Sequence, residues 1–64
     1  MFNIDWLRGV APVESEVSAL TDLQRVIDFA RNRAEFVCRR YPSDAPTGFQ
    51  ITDNTGEFVG VFTI

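Results

Sequence analysis

The chain has 64 residues, of which 45% are hydrophobic and 23% charged, and its net charge is −3. This composition is that of one small globular domain rather than a disordered chain, and the negative charge argues against nucleic acid as a partner. With no histidine and a single cysteine, Cys38, the chain has no plausible zinc site and no internal disulfide. Because so short a chain buries only about 60% of its unfolded surface, its stability calls for a partner subunit or unusually efficient packing.

The sequence also bears on location. No stretch approaches the roughly 20 apolar residues that cross a bilayer, and the opening "MFNIDWLRG" lacks the charged start and apolar middle of a secretion signal. An unpaired Cys38 fits a reducing compartment. The sequence therefore predicts a cytoplasmic protein without membrane contact.

The first third of the chain has the patterning of extended structure. "FNIDWLR" alternates, with Phe2, Ile4 and Trp6 on one side, as a half-buried strand does. "RGVAP" then predicts a turn or loop. "VESEVSA" is interpreted as a second short strand with Val13 and Val17 on one face.

A helix is predicted over about 22–41. Thr21 is its expected N-cap, Gln24 completes a capping box, and Pro42 ends the helix. A helix starting at Pro12 is the alternative, but it would place Glu16 in the middle of the apolar face. At about 100° per residue that face spans an arc of about 120°, made up of Leu20, Leu23, Val26, Ile27, Ala30, Ala34, Val37, Cys38 and Tyr41.

A β-hairpin is predicted for "GFQITDNTGEFVGVFTI". In "DNTG", Asp53 and Gly56 occupy the positions required by a type I turn that is followed by a left-handed glycine. The expected partners are Asp53 with Glu57, Ile51 with Val59, and Phe49 with Val61. The fold class is therefore α+β, one helix on a small antiparallel sheet, in a single domain covering 1–64. Its order is ββαββ, or βαββ if the second strand is absent.

The aromatic first strand, the helix "DLQRVIDFARNRA" and the closing "FQITDNTGEFVGVFTI" are similar to a family of short domains of unknown function, found mainly in alphaproteobacteria. Members of that family end in a strand, an Asp-x-x-Gly turn and a second strand. The resemblance implies this architecture. It implies no activity and no catalytic residues.

Two apolar surfaces exceed what one helix-on-sheet layer can cover. Phe29 and Phe36 lie on a flank of the helix beside Arg33. The hairpin has a second apolar set, Phe58, Phe62 and Ile64. Such patches usually mark interfaces, so the sequence predicts a homodimer or contact with an unidentified protein. The hairpin set is favoured over the helix flank, because it lies at the end of the chain.

The alternative to protein–protein contact is an accessory nucleic-acid-binding domain. The helix flank would combine charge with stacking surfaces, supplied by Arg25, Arg33 and Arg40 beside Phe29 and Phe36. Asp22 on the same side of the helix and the net negative charge argue against it.

Residues suited to catalysis are scarce. Histidine, the commonest general acid–base, is absent. Cys38 is interpreted as a buried spacer, and Asp53 and Glu57 as a turn former and a solvated strand end. The sequence therefore predicts a protein that is not an enzyme, with no catalytic residues, cofactor or metal.

Overall fold

A computed structural model describes residues 1–64. The chain folds as β1 (Phe2–Arg8), β2 (Ala11–Ser18), α1 (Leu23–Arg40), β3 (Gly48–Asp53) and β4 (Phe58–Thr63). The strands form one antiparallel sheet in the order β2-β1-β3-β4, and α1 packs on one face of it. The predicted α+β class and the order ββαββ are confirmed. The one helix, α1, does not combine the length and the apolar character that a bilayer crossing requires.

The core lies between α1 and the two central strands. Trp6 and Phe49 are its largest fully buried side chains, and their ring centroids lie 5.3 Å apart. The remaining core members are small or aliphatic: Ile4, Ile51, Val26, Ala30, Ala34 and Val37. The alternation predicted for the first strand is thus confirmed, because every second residue of β1 faces the helix.

The helix begins one residue later than its predicted cap implies. Asp22, not Thr21, is the N-cap: its backbone is extended and its carboxylate accepts a hydrogen bond from the Gln24 backbone N–H. The Gln24 side chain donates to Asp28 instead of closing a capping box with Thr21. The prediction for Thr21 is therefore wrong. A carboxylate outcompetes a hydroxyl here because it is charged and faces the positive end of the helix dipole.

The first hairpin turns at Gly9 and Val10. Gly9 has a φ of +62° and Val10 does not have a positive φ, as a type II′ turn requires. A bulge follows, since Trp6 pairs with Glu14 and Leu7 with Pro12, which leaves Val13 as the extra residue. Val17 lies opposite Asn3, on the face of the sheet turned away from the helix. The side of β2 that faces the helix is polar.

The second hairpin turns as predicted but pairs differently. Asp53 N–H donates to Glu57 O (2.9 Å) and Gly56 N–H to Asp53 O (3.0 Å), and Gly56 has a φ of +85°. Beyond the turn, the register shifts by one residue at a bulge between the Thr52–Phe58 and Ile51–Gly60 pairs. The predicted partners Ile51–Val59 and Phe49–Val61 are therefore wrong. Phe49 lies opposite Phe62, so the bulge moves Phe62 to the helix side of the sheet.

Candidate interaction surface

An exposed pair of aromatic rings lies on α1. The helix flank, defined here as Phe29, Asn32, Arg33 and Phe36, borders a shallow groove of about 190 Å³. Phe29 is 38% exposed and Phe36 is 63% exposed. The Arg33 guanidinium lies 5.9 Å from the centroid of the Phe29 ring. The sequence prediction that these rings form a flank rather than the core is confirmed.

The flank lies on the side of α1 that faces β2, and its charges are largely paired. Arg33 contacts Glu16 (2.6 Å) and Arg40 contacts Glu14 (3.1 Å), and both carboxylates are less than one-fifth exposed. Arg25 is within 4.0 Å of Asp22 at the solvated start of the helix. The arginines predicted to attract phosphate are therefore partnered by carboxylates of the same chain.

Glu16 has a second partner besides Arg33, the indole N–H of Trp6. Trp6 has no exposed surface, and its indole N–H donates to Glu16 at 2.8 Å, while the other Glu16 oxygen accepts from Arg33. A buried indole N–H needs an acceptor. Glu16 supplies one from the adjacent strand, and Arg33 neutralises the charge that this brings to the edge of the core.

Glu14, two residues before Glu16 on β2, also connects this strand to the helix. A side-chain hydrogen bond to Glu14 raises the pKa of Tyr41 above its ordinary value of 10.0; burial and the charge of Glu14 add to the effect, and Arg40 opposes it. Glu14 and Glu16 thus connect the edge strand β2 to the end and the middle of α1. Sequence reasoning missed both as site residues. The available signal was the alternation "ESE" on a strand, together with two arginines seven residues apart on the helix.

The hairpin residues predicted as an interface do not lie together. Phe62 is half-buried against the core, with its ring stacked on Phe49 at a centroid distance of 5.2 Å. Phe58 and Ile64 are each more than half exposed. Because Phe58 lies opposite Thr52, it belongs to the open face, meaning the face of the sheet turned away from α1. The predicted set is split by the bulge in β4.

The open face is not the continuous apolar surface that was expected. Its centre is polar: Asp5 accepts hydrogen bonds from Asn3 and from Ser15, and Gln50 lies opposite Asp5. Its apolar residues are dispersed towards the margins, at Leu7, Val17, Phe58 and Val61. An open depression of about 460 Å³ lies at the end near Gly9. A hydrated central sheet face is ordinary for an antiparallel sheet.

The residues weighed for chemistry have structural contacts in the fold. No cluster of three or more Cys, Asp or Glu side chains is placed to hold a metal ion. Cys38 is half-buried and its thiol lies 3.6 Å from the Pro46 carbonyl oxygen. Asp53 acts as the turn former that was predicted. Its carboxylate accepts from the Thr55 hydroxyl and from the backbone N–H groups of Thr55 and Glu57, which lowers its pKa.

The fold thus leaves one surface, the helix flank, with two exposed aromatic rings beside an edge strand.

The chain matches no protein-family model, no curated protein and no solved structure. Its resemblance to a family of short alphaproteobacterial domains therefore stays a prediction.

Proposed function

We propose that this protein is a non-enzymatic interaction module of the cytoplasm that forms a homodimer through the helix flank. The observation that carries the proposal is the exposure of Phe29 and Phe36 beside an Arg33 already paired with Glu16. Aromatic residues and arginine are enriched at protein interfaces. Because the charge is already neutralised, burying this flank against a second apolar surface strands no unpaired ion.

The energetics favour a flank that is one part of a larger contact. Full burial of a phenylalanine contributes about 1.5–3 kcal/mol. Phe29 and Phe36 are half-exposed on average, so the four rings of a twofold contact would contribute about 3–6 kcal/mol. Association costs about 4–15 kcal/mol. The free energy gained from the rings alone therefore reaches only the lower end of the association cost. A stable dimer needs additional contacts.

Mass measured by light scattering across protein concentration tests the proposal. Wild type should pass from monomer to dimer in the micromolar range. Phe36→Asp should weaken the dimer by at least about tenfold, because it puts a charge where a ring is buried. Phe58→Asp is the matched control, a substitution of an equally exposed ring on the open face, and should leave the dimer intact. A wild type that stays monomeric at high micromolar concentration, or a Phe36→Asp protein as dimeric as wild type, would refute the proposal.

The alternative, an accessory nucleic-acid-binding domain using Arg25, Arg33, Arg40 and the two rings, has weaker support. Its arginines would first have to leave Asp22, Glu16 and Glu14, and the net charge of −3 repels phosphate. Binding to a single-stranded oligonucleotide that falls steeply with salt, and that Arg33→Ala abolishes, would favour it over the homodimer.

A further inference from the structure

The edge strand next to the helix flank has unpaired backbone groups. β2 is the outermost strand on that side of the sheet. Asp53 N–H and Ile64 N–H bond across the β3–β4 pair, so the odd-numbered residues of β3 turn their backbone groups towards β4 and the even-numbered ones towards β1. The registers then assign the inward-turned residues of β2: Glu14, Glu16 and Ser18. The backbone N–H and C=O of Ser15 and Val17 therefore point to solvent.

The exposed rings overhang this same edge. On one side of α1, Arg33 and Arg40 reach the carboxylates of β2. On the other side, Arg31 donates to the carbonyl oxygen of Thr63 in β4. The helix thus lies over the middle of the sheet. The flank bearing Phe29 and Phe36 faces outward above β2, on the side where a further strand would be added.

We infer that the second copy in the proposed homodimer pairs its β2 antiparallel with this β2, so that the two sheets join into one of eight strands. The inference rests on the proposed function and identifies what the flank alone lacks, a second set of contacts. Backbone hydrogen bonds where the ends of the two β2 strands meet supply them, as strand addition does in other complexes. A twofold axis at this seam presents the same strand and the same flank from both copies.

The distance between the two helices on the joined sheet leaves space for Phe29 and Phe36. Helices centred on adjacent four-stranded sheets lie about four strand spacings apart, roughly 19 Å at about 4.8 Å per strand. A helix with its side chains is about 10–12 Å wide, so a trough of about 8 Å remains above the seam. Because that width already includes side chains of average size, only side chains larger than average reach into the trough from both flanks. Phe29 and Phe36 are the large apolar side chains that α1 presents there.

Charge selects the register. If Ser15 faced Ser15 of the second copy, Glu14 would lie opposite Glu16, and like charges directly opposite one another destabilise a sheet. If Val17 faces Val17 of the second copy, Glu16 lies opposite Ser18 and no carboxylates oppose each other. Val17 is 64% exposed on the open face, and this register also covers it. The seam is therefore centred on Val17.

A proline at the seam tests the pairing. The N–H of Val17 points to solvent, so Val17→Pro removes no hydrogen bond from the subunit and should keep its circular dichroism spectrum, while it blocks a strand from adding at the edge. We expect its dimer dissociation constant to rise at least about 100-fold. Val17→Thr, which keeps the N–H and suits a strand, should stay within about threefold of wild type.

Cross-linking tests the register. In a Cys38→Ser background, Val17→Cys should form a disulfide-linked dimer under mild oxidation, because antiparallel partners lie within the separation that a disulfide spans. Ser15→Cys in the same background should not.

The outcomes separate the two proposals. If Phe36→Asp is monomeric while Val17→Pro stays dimeric, the helix-flank dimer stands and the β2 pairing is overturned. Cross-linking at position 15 instead of 17 overturns the register. A monomeric wild type overturns both proposals.

Discussion

Replacing Glu16 by alanine should destabilise the fold far more than its place on an edge strand suggests. The substitution leaves the indole N–H of the fully buried Trp6 without its acceptor at 2.8 Å, which costs about 1–3 kcal/mol. Loss of the ion pair adds at most about 1 kcal/mol, because the Arg33 side chain is 37% exposed. We expect the free energy of unfolding to fall by about 2–3 kcal/mol, a shift in thermal midpoint of roughly 10–20 °C for a domain of this size.

Urea unfolding followed by Trp6 fluorescence, at one fixed protein concentration, measures this loss. Glu35→Ala is the matched control, since it removes a carboxylate whose ion pair with Arg39 is about 70% exposed on both sides, and it should change stability by at most about 0.5 kcal/mol. Glu16→Gln keeps an acceptor for the indole and should fall between the two. Equal unfolding midpoints for Glu16→Ala and Glu35→Ala would refute the role assigned to this carboxylate.

Two further predictions concern the helix ends. Asp22→Ala should lower the free energy of unfolding by about 1 kcal/mol, as loss of an N-cap does, while Thr21→Ala should change it little; the opposite ranking in thermal melts would restore Thr21 as the cap. The pKa of Tyr41, the single tyrosine, should lie above its ordinary value of 10.0 because of Glu14, and Glu14→Gln should lower it. Ultraviolet titration of the phenolate measures both, and an unchanged midpoint in Glu14→Gln would exclude Glu14 as the cause.

Local patterns were sufficient to predict the elements but not the way they pair. The apolar face of α1 repeats at the helical period, and the Asp53–Gly56 turn is encoded in four consecutive residues. The bulge in β4 has no comparable local signature, since Val59, Gly60 and Val61 fit either register as a strand. It becomes favourable only when Phe62 can stack on Phe49, which is a tertiary contact. The register error moved every later residue to the opposite face.

The helix flank was predictable for a related reason. Phe29 and Phe36 fall outside an apolar arc that is complete without them, and the helical period alone establishes this. The partners of the neighbouring arginines have a weaker signal in the sequence. Glu14 and Glu16 follow an alternating pattern that, read alone, indicates a solvated side of a strand. Their inward partners are tertiary contacts: Glu16 accepts from the buried indole of Trp6 on the adjacent strand, and Glu14 contacts Arg40 of the helix.

The position of β1, first in the chain and central in the sheet, constrains how the molecule folds. Each hairpin closes over a few residues, but neither has both halves of the core. Trp6 and Ile4 come from one hairpin, and Phe49 and Ile51 from the other. The β1–β3 pairing that unites them must close across β2, the helix and the loop after it, and such distant pairings slow folding. The rate-limiting event should therefore be the docking of two preformed hairpins beneath α1. Substitutions at residues where β1 pairs with β3 should slow folding more than substitutions at either turn.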